Sequence, residues 1–150
     1  MKRLLSVCMC LLLFTAVLQP VSAAAATEEG TTICQEYTLD NGLTVIEEIT
    51  EIVMPRSTVK QGTKKTTLKD GDTVIAVIAF TAQFGYDGTS AWVVSKTVTQ
   101  TDTYESWTYK QDAFYSNGST VTLSFTLSRW LFWNSSYSMS LTCDKDGNLS

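Results

Sequence analysis

Apolar and polar residues alternate strictly from Thr120 to Ser128, with apolar side chains at the odd positions and hydroxyls at the even ones. Because successive side chains of a strand point to opposite faces, this alternation predicts a β-strand with one buried and one solvated face. The pattern changes after Ser128, since Trp130 and Phe132 occupy even positions. These two rings are either a binding surface or a part of the strand that another segment covers.

Asn-Gly or Asp-Gly pairs at residues 41–42, 70–71, 87–88 and 117–118 divide the chain into segments, and a further pair, Asp146-Gly147, lies near its end. Such pairs accept positive φ at low cost, as the tight turns of β-hairpins require. The segments between them are rich in threonine, valine, isoleucine and aromatic residues, which favour strands. The sequence therefore predicts strands over residues 34–39, 43–52, 58–69, 73–86, 89–100, 104–115, 119–132 and 137–143.

Strands of this length joined by hairpins are typical of an all-β sandwich or barrel. We expect a two-sheet antiparallel β-sandwich, immunoglobulin-like in style, with about 7–8 strands. Outside the N-terminal segment, no part of the chain has the sustained periodicity of a helix.

The register of two hairpins can be predicted from the same alternation. A three-residue loop at residues 116–118 would place Ala113 opposite Val121 and Tyr109 opposite Phe125, which puts apolar residues on one face. In the following hairpin, an odd number of loop residues would keep the odd positions of both strands on that same face.

Residues 1–26 have the features of a secretory signal peptide. Lys2 and Arg3 precede an apolar run from Leu4 to Leu18, and small residues follow at 22–26. The run is shorter than the roughly 18–20 apolar residues that cross a bilayer. We therefore expect a signal helix over 1–26, a single secreted, extracellular domain over 27–150, and no membrane span after cleavage.

The charge of the chain is acidic, and it is segregated along the sequence. The net charge is −4 at pH 7, and loss of Lys2 and Arg3 with the signal would make it more negative. An acidic domain repels phosphate backbones, which argues against nucleic-acid binding. Acidic residues dominate up to Glu51, and only basic ones occur from Arg56 to Lys69. This predicts neighbouring strands of complementary charge or a protected edge strand; the alternative is a basic stripe for anionic envelope polymers.

Two cysteines, Cys34 and Cys143, lie near the two ends of the expected domain. In an exported protein such a pair favours a disulfide, which would stabilise the fold by about 4–5 kcal/mol if it closed so long a loop. A reactive thiol is the alternative, but the sequence contains no histidine to activate one.

The candidate ligand-binding residues are Trp130, Phe132 and Trp133, together with Phe114, which lies on the polar side of its predicted strand. Exposed aromatic rings can stack on sugars, while nearby hydroxyls and carboxylates orient the ligand. The alternatives are that these rings belong to the core or form a protein-contact patch.

Catalytic and metal-binding motifs are weak. Without histidine there is no Ser-His-Asp or Cys-His arrangement and no histidine-bound zinc. A pair of carboxylates could still act as in glycosidases; the candidates are Glu47, Glu48, Glu51, Asp102 and Glu105. Residues 144–148 resemble the start of a calcium loop but lack its later ligands. We expect no enzymatic activity, no cofactor and no metal.

Several segments together resemble those of a known group of proteins: GTKKTTLKDGDTVIAVIAFTAQFGYDG, SWTYK, SNGSTVTLSFTLSRW and SLTCDKDGNLS. They resemble small secreted β-sandwich proteins of Gram-positive, clostridia-like bacteria. The resemblance covers residues 62–150 and implies a compact β-sandwich without assigned activity. The sequence therefore predicts a secreted, non-catalytic binding or cell-envelope-associated module. Its expected partner is a glycan or an envelope protein; a carbohydrate-binding module and a small carboxylate-dependent hydrolase are the specific alternatives.

Overall fold

The protein forms eight antiparallel strands in two sheets. A computed structural model describes residues 28–53, 58–130 and 133–150; the expected signal peptide lies outside them. Sheet A has the order β1-β2-β3-β4-β5 and sheet B the order β6-β7-β8. The strands are β1 (Glu28–Thr38), β2 (Leu43–Val53), β3 (Val59–Asp70), β4 (Thr73–Tyr86), β5 (Ala91–Thr103), β6 (Trp107–Asn117), β7 (Thr120–Arg129) and β8 (Trp133–Thr142).

The all-β prediction is confirmed for the described residues, which contain no helix. None of them therefore forms a helix long and apolar enough to cross a membrane. In both sheets each strand pairs with the strands next to it in sequence. Immunoglobulin domains distribute their strands as ABED and CFG, which differs from the consecutive order observed here.

The predicted turn positions are confirmed at the four Asn-Gly and Asp-Gly pairs that divide the chain. Gly42, Gly71, Gly88 and Gly118 each have positive φ, between 58° and 84°. At these positions a residue with a Cβ would be strained, whereas glycine adopts the left-handed conformation freely. The turn chemistry in the sequence thus explains where the strands end.

The strand directions divide the turns between two ends of the molecule. The upper end, as we call it, comprises the turns at residues 39–42, 71–72 and 104–106 and the β7–β8 turn that begins at Trp130. A hydrogen bond from Asn41 Nδ2 to Ser135 Oγ (3.2 Å) links the two sheets there. The lower end comprises residues 87–90, 118–119 and the C-terminal loop, residues 143–150.

One hydrophobic core draws side chains from both sheets. Sheet A contributes Phe80 and Phe84 of β4, and sheet B contributes Phe125 of β7, all fully buried. In β7 the odd residues from Val121 to Leu127 are buried and the even ones are half-exposed, as the alternation predicts. The sheets approach each other where β8 lies near β3 and where β5 lies near β6 and β7.

The predicted register of the β6–β7 hairpin is wrong. Its loop has two residues, and Asn117 pairs with Thr120, so that Ala113 lies opposite Ser124 rather than Val121. A bulge between Gln111 and Ala113 then shifts the register. An extra residue in one strand reverses the face of the sheet to which odd and even side chains point. The apolar residues on both sides of the bulge can therefore face the core.

The odd number of loop residues predicted for the β7–β8 hairpin is confirmed. Arg129 pairs with Trp133 across three loop residues, and Val121 pairs with Leu141 further down the ladder. The odd residues of both strands therefore share the core face. On the opposite face, hydroxyl pairs such as Thr122 with Ser140 (2.9 Å) form a solvated ladder.

The segregated charges lie on neighbouring strands, as predicted. β2 pairs with β3, and three glutamate–lysine ion pairs cross between them. They are Glu51–Lys60 (3.1 Å), Glu47–Lys64 (2.6 Å) and Glu48–Lys65 (2.6 Å). These lysines are therefore neutralised within the sheet, which leaves little of the basic stripe considered from the sequence.

The C-terminal loop seals the lower end of the core. Leu149 is only 5% exposed, and a Cβ added at Gly62 would collide with its side chain. The loop is held by Asp144, whose carboxylate accepts hydrogen bonds from Asp146 N (2.9 Å), Asn148 N (2.8 Å) and Asn148 Nδ2 (2.7 Å). Asp144 therefore organises the turn that carries Leu149 into the core.

The disulfide expected between Cys34 and Cys143 is not formed in the structure, which has both as free thiols. Cys143 is buried in the core. Cys34 is exposed on edge strand β1, where it pairs with Glu48. Ile33 and Gln35, its neighbours, line a cleft on the core side of the sheet. Because side chains alternate along a strand, Cys34 points to the opposite face of sheet A from Cys143.

Candidate functional site

The β7–β8 hairpin carries two of the predicted site residues to the upper end. β7 ends at Arg129, three residues earlier than the sequence predicts. Trp130 is therefore a turn residue with φ 57° rather than part of a flat strand face. Trp133 is the first residue of β8 and pairs with Arg129. Phe132 lies outside the described residues.

Both indole rings are open to solvent. Trp130 is 79% exposed and Trp133 is 54% exposed. Trp130 is not part of the core, because its position in the turn projects it beyond the end of the sheet. Since an exposed tryptophan gains little from folding, these two rings offer apolar surface for contact with another molecule.

Phe114 does not belong with these rings. Its ring is half-buried and contacts Phe80 edge to face, with 5.7 Å between the ring centroids. Lys96 Nζ lies 4.9 Å from the centre of the same ring. The sequence places Phe114 on the polar face, but the bulge at residue 112 reverses the parity and turns the ring toward the core.

A small cleft at the upper end is lined in part by Arg129, the residue before Trp130. Its volume is about 220 Å³, and its lining includes Asp70, Glu105 and Arg129 together with Thr73 and the buried Ile75. The cleft joins three separate turns, because Asp70 ends β3, Glu105 precedes β6 and Arg129 ends β7. Of these residues, only Glu105 is a candidate from the sequence.

The charged groups of the cleft keep their hydrogen-bonding capacity. The side chains of Asp70, Glu105 and Arg129 form no hydrogen bond or ion pair with any other residue that the structure describes. A carboxylate offers acceptors only, whereas a guanidinium offers five N–H donors. The cleft can therefore both accept hydrogen bonds from a ligand and donate hydrogen bonds to it.

Backbone strain is concentrated at the same end. Three non-glycine residues among those described have positive φ: Glu105 (54°), Ser106 (63°) and Trp130 (57°). The backbone N–H of Trp107 donates to the carbonyl of Tyr104 at 3.0 Å, which closes the turn that holds the first two. Such conformations cost of order 1–3 kcal/mol each and cluster at binding sites. One of them, Glu105, lines the cleft, and Trp130 directly follows Arg129, which also lines it.

The other candidate groups are occupied elsewhere. Glu47, Glu48 and Glu51 are paired with lysines, and Asp102 accepts a hydrogen bond from Gln100 Nε2 (2.7 Å). Hydrogen bonds from Asn148 hold the pKa of Asp144 below its usual value, so the calcium-like segment is a self-contained turn. In the part of the chain that the structure describes, no three acidic or cysteine side chains form a metal site.

Sequence reasoning misses Asp70 and Arg129 as site residues. Asp70 is visible only as half of an Asp-Gly turn, and Arg129 only as an interruption of the alternating strand. Both signals indicate local structure and give no distance between turns that are far apart in sequence.

Comparison of this chain with protein-family models, with curated proteins and with solved structures gave no match. The resemblance to small secreted proteins of Gram-positive bacteria therefore stays a prediction.

Proposed function

We propose that this protein is an exported, non-catalytic binding module that recognises a glycan at its upper end. Trp130 and Trp133 would stack on sugar rings, and the cleft formed by Asp70, Glu105 and Arg129 would bind the hydroxyls. The glycan would belong to a cell envelope, which fits a secreted protein of 27–150 with a cleaved signal at 1–26.

A single observation carries this proposal: an indole that is 79% exposed is next in sequence to Arg129, and Arg129 lines a cleft whose charged groups have no partner among the described residues. Sugar rings present apolar C–H faces and polar hydroxyl edges. Aromatic surface beside a few convergent polar groups is the combination that binds such a ligand.

The architecture that presents this site is, in our proposal, a two-layer β-sandwich. The proposal is supported by the single core shared by sheets A and B. In a sandwich, the turns at one end of both layers lie together, as the loops of variable immunoglobulin domains do. A meander of two sheets would thus serve the same purpose without immunoglobulin connectivity.

The glycan proposal is tested by screening the purified full chain on a glycan array and then titrating the bound saccharides. We expect Trp130→Ala and Arg129→Ala each to weaken binding at least about 10-fold, which corresponds to about 1.4 kcal/mol. Trp92→Ala is the matched control, because Trp92 is 45% exposed at the other end of the molecule. Absence of binding, or binding that survives the first two substitutions, would contradict the proposal.

A second candidate function is favoured by the carboxylates of Asp70 and Glu105, which line one cleft. Two carboxyl groups flanking a glycosidic bond are the catalytic pair of most glycosidases. Saccharides that bind on the array would be incubated with the protein and analysed for new reducing ends. Hydrolysis that is lost in Asp70→Asn and Glu105→Gln, with binding retained, would replace the non-catalytic proposal by this one.

A further inference from the structure

The side of the molecule between β1 and β8 is only partly covered. Sheet A has five strands and sheet B three, and β8 lies near β3, so no strand of sheet B covers β1. Ile33 and Tyr37 of β1 are each 44% exposed, whereas Phe80 in the middle of the same sheet is fully buried. The core-facing side of β1 is therefore open to solvent.

A cleft of about 190 Å³ occupies this open side. Its lining includes Ile33 and Ile49 of sheet A, the C-terminal Leu149 and Ser150, and the ion pair of Glu47 and Lys64. The two charges neutralise each other at 2.6 Å. The cleft is therefore lined by apolar side chains and by an ion pair without net charge. Such a lining suits uncharged apolar side chains.

β8 is connected to this cleft through Ser150, which lines the cleft and pairs with Thr142, and the backbone of β8 is an unpaired edge. Within the described residues β8 pairs with β7 alone, and it is the last strand of sheet B. A strand edge presents alternating N–H and C=O groups that can pair with another extended chain. The even residues Ser136, Ser138 and Ser140 are those whose backbone groups point outward, because Thr142 already pairs on that side.

The C-terminal residues show what kind of segment fits along this edge. Ser150 N donates to the carbonyl of Thr142 at 3.0 Å, and Thr142 N donates to the carbonyl of Ser150 at 2.8 Å. This reciprocal pair is one step of an antiparallel ladder, and Cys143 and Leu149 form the bridge before it. The ladder therefore reaches the lower mouth of the cleft.

We propose that the cleft between β1 and β8 receives an extended peptide strand of another protein, which continues this ladder antiparallel to β8. Every second residue of that strand, opposite Met139 and Tyr137, is apolar and packs on Ile33 and Tyr37. The intervening residues are polar and join the solvated hydroxyl ladder of sheet B. This surface is on the side of the molecule and does not depend on the glycan site.

The pairing of the C-terminal residues favours a peptide over a second folded copy of this chain. Leu149 and Ser150 lie along β8 as a single extended segment that belongs to no further strand of a sheet, and a free peptide strand can continue that arrangement directly. Strand addition to an exposed edge is an established way of recognising peptides.

The first experiment appends a six-residue tail to the full chain after Ser150. The tail Val-Thr-Val-Thr-Val-Thr points its valines into the cleft, and Thr-Val-Thr-Val-Thr-Val has the same composition shifted by one residue, which reverses its faces. We expect the first tail to slow amide exchange of Ser136, Ser138 and Ser140 at least about 10-fold relative to the second. Equal exchange with both tails would overturn the proposal.

The second experiment measures binding in trans, with a labelled free peptide Val-Thr-Val-Thr-Val-Thr and the unextended chain. Ser138→Pro removes an outward N–H from an edge strand, where proline is tolerated, and Ile33→Asp places a charge on the apolar wall. We expect either change to weaken binding at least about 10-fold, while Val94→Ala on the exposed surface of β5 leaves it unchanged. Binding that is indifferent to both would overturn the proposal.

Sedimentation of the unextended chain tests whether a second copy of this chain, rather than a peptide, occupies the edge of β8. If the protein dimerises and the amides of β8 become protected as its concentration rises, the edge belongs to a second copy and the peptide proposal is overturned. A failure of either experiment leaves the glycan binding at the upper end unaffected, so the two proposals can fail separately.

Discussion

The upper and lower ends of the molecule are both built from turns between antiparallel strands, yet they treat their polar groups differently. At the lower end, the carboxylate of Asp144 accepts three hydrogen bonds from its own loop, and Leu149 fills the core. At the upper end, Asp70, Glu105 and Arg129 share a cleft without described partners, and Trp130 projects into solvent. Turns whose polar side chains are hydrogen-bonded within the protein stabilise the fold. Turns whose polar side chains lack partners remain available to a ligand.

The largest effect should come from removing the apolar contact that seals the lower end. We expect Leu149→Ala to lower the free energy of unfolding by about 3 kcal/mol, because truncation of a buried leucine leaves a cavity. Denaturant unfolding measures this loss. Val94→Ala is the control, since Val94 is 52% exposed and should change stability by less than about 0.5 kcal/mol. Similar values for both would show that the tail does not seal the core.

A smaller effect should follow from Asp144→Ala, and it should depend on pH. Hydrogen bonds from Asn148 lower the pKa of Asp144 below its ordinary value of 3.8. A carboxyl with a lowered pKa stabilises the fold above its ordinary pKa, and this contribution is lost as pH falls through the lowered one. We therefore expect the variant to melt at a lower temperature at pH 7, with the difference shrinking below about pH 4.

The control for this experiment is Asp146→Ala, because the Asp146 side chain only contacts Lys145 in an exposed ion pair. It should leave the melting temperature nearly unchanged at every pH. A pH-independent loss in Asp144→Ala would mean that the side chain acts by packing rather than by its charge.

At the upper end, the stability of a variant should depend on whether it relieves the backbone strain at Trp130. Trp130 has φ 57°, a conformation that costs an L-residue roughly 1–2 kcal/mol and glycine almost nothing. We expect Trp130→Gly to be about 1 kcal/mol more stable than Trp130→Ala in chemical denaturation, while both lose glycan binding to the same extent. Equal stability of the two variants would show that the turn is unstrained.

The smallest effect concerns the two thiols. Burial raises the pKa of the Cys143 thiol, and Cys34 is exposed. In the folded protein we expect a thiol reagent to modify Cys34 within minutes and Cys143 only after unfolding. Cys34→Ser should leave stability within about 0.5 kcal/mol of the parent. If neither thiol reacts until a reductant is added, the oxidised protein contains the disulfide expected from its sequence.

The strands and the ion pairs could be predicted because their causes are local. The alternation along β7 and the Asn-Gly and Asp-Gly turns determine strand positions within a few residues. The charge segregation predicts the pairing of β2 with β3, since neighbouring strands with opposite charges attract.

The features that could not be predicted depend on a single residue or on long-range packing. The bulge at residue 112 turns Phe114 to the other face of the strand, and no turn residue in the sequence indicates that bulge. The polar tail reads as a solvated segment, although it buries Leu149. The cleft of Asp70, Glu105 and Arg129 brings together turns that are distant in sequence. Hydrophobic periodicity gives no information about the distances between such turns.

The consecutive strand order also bears on how the chain acquires its structure. Each ladder joins segments that follow one another, so no strand has to wait for a partner from a distant part of the chain. A hairpin can form as soon as its second strand leaves the ribosome. The segment that carries Leu149 follows all eight strands, so this side chain can enter the core only after β8 has been made.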